Sequence, residues 1–325
     1  MTFRVLENSV RGAWWRGAAL VLLLSVFASP APGAGAKVPN RRVLLIGIDG
    51  CRFDAIERAN TPHLDQLMAS GCYDTDTQIL GTRYTGNNTI SGPGWSSILT
   101  GVWADKHGVN DNEFTGKNYR EYPHFFSRLK TVYPQAFTAS IVTWFPIQQH
   151  IVSAADEGRA VPAIGEDKSV AYAKADAIAA KETTRLLQEK DPTAVFFYIG
   201  QVDETGHKVG FHPSVTEYVE AIERADGHVG EVLAALRSRP NVAAEDWLVL
   251  VTSDHGGKGT GHGDGHKEPE ILNSFMIVSG PAAQHGKLDE VTYLVDVPVT
   301  ALTHLGVALD PAWKLDGRPV GLKDR

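Results

Sequence analysis

Five short apolar runs punctuate the chain: RRVLLIGID (41–49), TASIVTW (138–144), TAVFFYIG (193–200), WLVLVTSD (247–254) and SFMIVSG (274–280). They are apolar almost throughout instead of at every second position, the pattern of strands covered on both faces in a parallel sheet. Between them the pattern lengthens to that of helices. TPHLDQLMASG (61–71) has Pro near its start and Gly at its end. VAYAKADAIAAKETTRLLQEK (170–190) and PSVTEYVEAIERADGHVGEVLAALRS (213–238) are amphipathic and rich in helix formers, and VPVTALTHLGV (297–307) reads as a closing helix. Strands alternating with helices predict an α/β sandwich with a mainly parallel central sheet. The stretches 104–135 and 145–169 carry neither pattern and are expected to be lid loops of a single domain, 37–325.

The N-terminus reads differently. Arg4, Arg11 and Arg16 precede the apolar run GAALVLLLSVFA (17–28), and SPAPGAGA follows. Basic, apolar and small residues in that order predict a cleavable signal peptide over 1–36, with Ala34-Gly35-Ala36 as the cleavage signature. The run is shorter than the roughly 20 residues that span a bilayer, so a periplasmic or secreted protein without a stable membrane anchor is expected. In that compartment Cys51 and Cys72 are candidates for a disulfide. A net charge of −7 excludes a surface built for nucleic acid.

Candidate chemistry gathers where the apolar runs end, the side of an open α/β sheet on which ligands bind. The first run ends in Asp49, the third is followed by Asp203 and His207, and the fourth ends in Asp254-His255. The glycine-rich segment beyond supplies His262 and His266. Mixed carboxylate and imidazole donors suit zinc, manganese or iron better than calcium, and there are enough for two ions. A pair of metals clamps both oxygens of an in-line displacement at phosphorus. Ser91, before Gly92-Pro93-Gly94 and a helical WSSILTG, is the candidate nucleophile, because a helix N-terminus receives a phosphoryl oxygen. The plainer role for Ser91 is a helix N-cap.

In order along the chain, IGIDGCRFD, ANTPHLDQLMASG, SGPGWSSILTG, ADKHGV, VDETGHKVGFHP, VTSDHGGKGTGHG and FMIVSGP resemble the alkaline phosphatase superfamily, in its nucleotide pyrophosphatase/phosphodiesterase-like branch. The resemblance runs from residue 42 to about 320. It implies a two-metal phosphoric ester hydrolase acting on a small phosphate ester through a phosphoseryl intermediate. Asp203, His207 and a late histidine would hold one zinc. Asp49, Asp254 and His255 would hold the other, with Ser91 as nucleophile and Thr89 as its rival. His262 is the expected late histidine, with His266 as the alternative or as a residue facing substrate. Asn88 and Trp95 are further candidates for lining the pocket, and His107 for shaping it. A donor to the phosphoryl oxygen, sought three residues beyond Ser91, is missing there, since that position is Gly94; Asn87, Asn88 and Lys106 are the replacements in view. Ser91-Gly92-Pro93 also begins like a sulfatase motif, but Trp95 stands where that motif needs Arg. A non-catalytic metal- or phosphate-binding protein of the same fold is the remaining alternative.

Overall fold

The computed structural model describes residues 40–324, so the expected signal peptide lies outside the described residues. The elements that matter are β1 (Arg41–Ile48), α1 (Pro62–Ser70), β2 (Gly71–Gln78), α2 (Ser91–Thr100), α3 (Phe125–Val132), β3 (Thr138–Val142) and β4 (Glu157–Ala160). They continue with α4 (Lys168–Glu189), β5 (Ala194–Ile199), α5 (Gln201–Val209), α6 (Thr216–Arg237), β6 (Asp246–Thr252), β7 (Asn273–Ser279), β8 (Gly286–Lys287) and α7 (Asp296–His304). The strands form one sheet in the order β4-β3-β5-β1-β6-β7-β2-β8. Strand β7 pairs antiparallel with both neighbours, and every other pairing is parallel.

The unbroken apolarity of β1 follows from this arrangement. Leu44, Ile46 and Ile48 face a core that includes Ala175, Ala179, Tyr218 and Val229 of α4 and α6. Val43 and Leu45 face the opposite core with Trp95, Ile98, Phe125, Leu129 and Val297. Successive side chains of a strand point to opposite faces, and both faces of this sheet are roofed by helices. Truncating any of these five to Ala would cost about 2–5 kcal/mol, because little in such a core can collapse into the gap.

Two expectations need correction. The stretches 104–135 and 145–169 are not simply lid loops: the first contains α3 and the second the short strand β4, whose Gly158 and Arg159 are exposed at the sheet edge. Cys51 and Cys72 form no disulfide. Both are buried free thiols, and Cys72 donates to the carbonyl of Gly321 at 3.3 Å. Burial pushes the Cys72 thiol up to about 11, so it behaves as a small apolar side chain.

Candidate active site

Strand β1 lies between β5 and β6, and all three run parallel, so their carboxyl ends open at one place. Asp49 follows β1 directly, its N–H bonded to the carbonyl of Ile199 in β5. Asp254 and His255 follow β6. Beyond β5 the chain turns at once into α5, where Asp203 and His207 stand four residues apart on one helix face. The buried carboxylate of Asp176, on α4, fixes the start of α5 by accepting from the N–H groups of Gly200 (3.1 Å) and Gln201 (2.8 Å) and from Thr143 Oγ1 (2.7 Å). These bonds satisfy N–H groups that a helix start leaves without partners.

Two donor clusters result. In one, His207 Nε2 lies 3.4 Å from Asp203 Oδ2 and 3.0 Å from His262 Nε2, and His262 Nε2 lies 3.4 Å from Asp203 Oδ1. In the other, His255 Nε2 lies 3.2 Å from Asp254 Oδ2, 3.5 Å from Asp49 Oδ1 and 3.3 Å from Ser91 Oγ, which is itself 3.4 Å from Asp49 Oδ1. Donor atoms around a tetrahedral ion with bonds of about 2.0–2.1 Å lie roughly 3.3 Å apart. The spacings fit that requirement.

The tautomers fit as well. Each imidazole directs Nδ1 at a main-chain carbonyl: His207 at Thr260 (2.9 Å), His255 at Gly256 (2.8 Å) and His262 at Thr89 (2.9 Å). A carbonyl only accepts, so Nδ1 carries the hydrogen and the neutral ring presents a lone pair at Nε2. Lone pairs and carboxylate oxygens therefore converge, and Asp203 Oδ1 and Asp254 Oδ2 are buried without a hydrogen-bond partner. Such a set is unfavourable alone and suited to divalent cations. The titration behaviour has the same cause. Burial, reinforced by Asp203, pushes Asp49 up to about 7, and burial with Asp49 raises Asp254 well above the carboxylate range. Burial would raise Asp203 also, but its contacts with His207 and His262 hold it low, and the Asp203 carboxylate raises His207 to about 9, so without an ion His207 carries a second proton on Nε2, which a bound cation would displace.

The surroundings aim these groups. Trp95 Nε1 and the Tyr198 hydroxyl both donate to Asp49 Oδ2, each at 2.7 Å, which turns Oδ1 toward Ser91 and His255. Ser91 is the first residue of α2, and the position before it, Ile90, makes no side-chain cap. Its hydroxyl thus faces the second cluster in place of capping the helix. Gly94 lies against Asp254, where a Cβ would fall 2.8 Å from the Asp254 Cβ, so a longer side chain has no room there. Gly92 is pressed as closely by the segment that carries Asn112, and its N–H donates to Asn112 Oδ1 at 2.8 Å. That bond leaves the Asn112 NH2 group to donate into the cleft. The cleft, of about 400 Å³, is walled by Asn112, Trp144, Tyr172 and Glu204 beside the two clusters. Burial and then the nearby Glu204 carboxylate raise the Tyr172 phenol above its ordinary value.

The family model for type I phosphodiesterase / nucleotide pyrophosphatase matches residues 43–279. The chain belongs to that family. Within it, the human ectonucleotide pyrophosphatase/phosphodiesterase family member 7 is 26% identical over 275 residues, covering 74% of this chain and 54% of its own. The bovine bis(5'-adenosyl)-triphosphatase ENPP4 is 25% identical over 248 residues, covering 73% and 52%. The chain spans about half the length of these curated relatives. Among solved structures, murine ectonucleotide pyrophosphatase/phosphodiesterase 5 superposes with a TM-score of 0.63 at 15% identity, covering 83% of this chain and 96% of that one. A 2-O GAG sulfatase superposes at 0.68 with 13% identity, covering 87% and 73%. These structures share the alkaline-phosphatase-like fold.

In this member of the family, the seven residues expected to act or to bind metal (Asp49, Ser91, Asp203, His207, Asp254, His255 and His262) lie together, whereas the three expected to touch substrate do not line the cleft. Trp95 is fully buried beneath Asp49. Asn88 accepts from the N–H groups of Thr89 and Asp264, and His266 Nε2 meets the carbonyl of Asn87 at 2.7 Å; both fasten the glycine loop. Thr89 is committed to the same loop, its hydroxyl donating to the His262 carbonyl and accepting from Gly265 N–H. Asn87 holds Ser97 and Ala104 N–H, Lys106 pairs with Asp316, and buried His107 braces Ser97. Asn112, Trp144, Tyr172, Tyr198 and Glu204 were not singled out for the site by the sequence. An Asp or His after an apolar run announces itself, and an amide or aromatic residue in a loop does not.

Proposed function

We propose that the protein is an exported two-zinc phosphodiesterase with Ser91 as nucleophile. The observation that carries this is the Ser91 hydroxyl, which starts a helix without capping it and lies within 3.4 Å of two members of a ligand cluster. Asp203, His207 and His262 would hold one ion and Asp49, Asp254 and His255 the other. When bound, the ions would supply charge neutralisation, a lowered pKa for the Ser91 hydroxyl and activation of water.

The chain's own residues supply the geometry. Ser91 Oγ, its proton lost to solvent, forms a bond to phosphorus while the bond from phosphorus to the departing alcohol breaks on the opposite side. Asn112 NH2 and the N-terminal end of α2 receive the equatorial oxygens as charge develops there. Water then cleaves the Ser91–phosphorus bond and restores the serine. Trp95 and Tyr198 keep Asp49 aimed throughout. The murine neighbour in complex with AMP shows that a related fold takes a small phosphate ester.

Turnover of bis-p-nitrophenyl phosphate, p-nitrophenyl phosphate and phenyl phosphonate esters, with zinc and after chelation, tests the reading. Diester hydrolysis lost on chelation and restored by zinc is the expected result. Zinc binding without hydrolysis of any of these would overturn it in favour of a binding protein. The order of residues 4–36 supports export, which N-terminal sequencing checks by finding Lys37 first.

A further inference from the structure

In the reaction above, Asn112 donates to a phosphoryl oxygen from an exposed loop. From Asn110 to Lys117 the residues are exposed or half-buried, and Phe114 alone is buried. The ends of the loop are pinned together. Asn118 N–H donates to the His107 carbonyl at 2.8 Å, and Gly108 passes the Gly116 carbonyl where a Cβ would fall 2.2 Å from the oxygen. Between those ends, Asn112 has one bond to the nucleophile helix, from Gly92 N–H. A single contact leaves a donor free to swing about it.

Two backbone irregularities meet beside this loop. Phe114 lies in the left-handed region at φ 59°, which a bulky side chain seldom adopts and which glycine would occupy without strain. Ile147–Ile151 form a single turn of π-helix, a rare conformation that recurs near functional sites. The Phe114 ring joins the two. It packs on His150 with centroids 4.7 Å apart and planes 33° from parallel, and on Trp144 with centroids 5.9 Å apart. Lys117 Nζ donates to His150 Nδ1 at 2.7 Å and ties the far end of the loop to the same turn. A strained residue persists only where its surroundings over-determine it. A turn that needed the left-handed backbone alone would have no use for the ring.

We propose that Phe114 is a positioning residue, whose ring, held by Trp144 and His150, keeps Asn112 aimed at the phosphoryl oxygen. This rests on the hydrolase reading above and adds what holds its exposed donor in place. A donor fixed beforehand stabilises developing charge without reorganising during the reaction. Displacing it by about 1 Å can cost about a hundredfold in rate.

The test uses the zinc-loaded enzyme and bis-p-nitrophenyl phosphate. Asn112→Ala should lower kcat by about a hundredfold or more, the effect of removing one donor to a developing oxyanion. Phe114→Ala should lower it by about ten- to a hundredfold. Phe114→Gly should be as slow although it relieves the backbone, so that the loss belongs to the ring. In an Asn112→Ala background, either change at Phe114 should alter kcat by less than about twofold, since nothing is left to aim. Zinc content should match the parent in every variant. Losses that multiply in the double variant, a parent-like kcat in Phe114→Gly, or a loss confined to KM would overturn the proposal and leave the hydrolase reading standing. Limited trypsin digestion needs no substrate: cleavage after Lys117 should be faster in Phe114→Gly than in the parent, and equal rates would overturn the proposal. No hydrolysis by the parent would overturn the hydrolase reading instead.

Discussion

The imidazole rings of His255 and His262 stack with centroids 3.7 Å apart and planes 20° from parallel, which places His255 within reach of the donors of both clusters. His255 turns Nε2 toward Asp49, Asp254 and Ser91, and His262 turns Nε2 toward Asp203 and His207. The glycine loop after β6 thus spans two adjoining sites, and each histidine should be separable by mutation. Replacing His262 with Ala is expected to remove one zinc per chain, whereas His266→Ala keeps both, because its ring meets a main-chain carbonyl. Metal analysis of the two purified variants checks this; loss of zinc from His266→Ala alone would reverse the assignment.

Ser91→Ala should lower diester turnover by at least about a thousandfold, since an attacking hydroxyl is not replaced by proximity alone. Asp49, Asp254 and His255 remain in place, so metal content and melting temperature should stay near those of the parent. Steady-state kinetics beside metal analysis separates loss of the nucleophile from loss of the site. Substantial residual activity would send the search to another hydroxyl.

Trp95→Phe and Tyr198→Phe each remove one of the two donors to Asp49 Oδ2. Such outer partners orient a ligand, and their loss costs about 10–100-fold in metal affinity. Competition against a zinc chelator is expected to show that weakening, with the pair of mutations worse than either alone. Tyr198→Phe, which keeps the ring, should fold as well as the parent. Unchanged affinity would mean that Asp49 needs no aiming.

Asp176 gives a pH signature away from the ligands. Burial raises its carboxyl from 3.8 to about 7, despite bonds from Thr143, Gly200 N–H and Gln201 N–H. A group whose pKa is higher folded than unfolded stabilises fully below its unfolded value, and that stabilisation fades as pH rises through the folded one. Asp176→Asn, which does not titrate, should therefore be destabilised most below about pH 4. Its deficit should shrink as pH rises from there to about 7 and level off above it. Urea unfolding of both proteins across that range cancels the titration of all other groups; a deficit that grows with pH would contradict the sign.

Much of the fold was legible in the sequence because both faces of its central strands are covered, which makes β1, β5 and β6 apolar throughout. The same reasoning passed over β2. Its GCYDTDTQ is too polar to announce a strand, and buried Asp74 is tolerated because Asp76 N–H donates to one oxygen and Thr292 N–H and Oγ1, from a distant segment, donate to the other. Strand β4 was missed for a different reason, since EGRA sits at an edge and needs no apolar pattern.

The site divides along a similar line. Asp49, Asp203, His207, Asp254 and His255 stand at or just beyond strand ends, and sequence alone determines that, because a strand's end fixes where the next side chains lie. His262 shares this legibility only through the loop that His255 opens. Tertiary packing alone decided that Trp95 lies beneath Asp49, that Asn88 and His266 tie a loop, and that Cys51 and Cys72 stay unpaired. It also brought Asn112 to Gly92 and put Glu204, Tyr172 and Trp144 on one cleft. Those relationships join segments with no shared periodicity, held by single contacts of shape and hydrogen bonding, and no local pattern of residues encodes them.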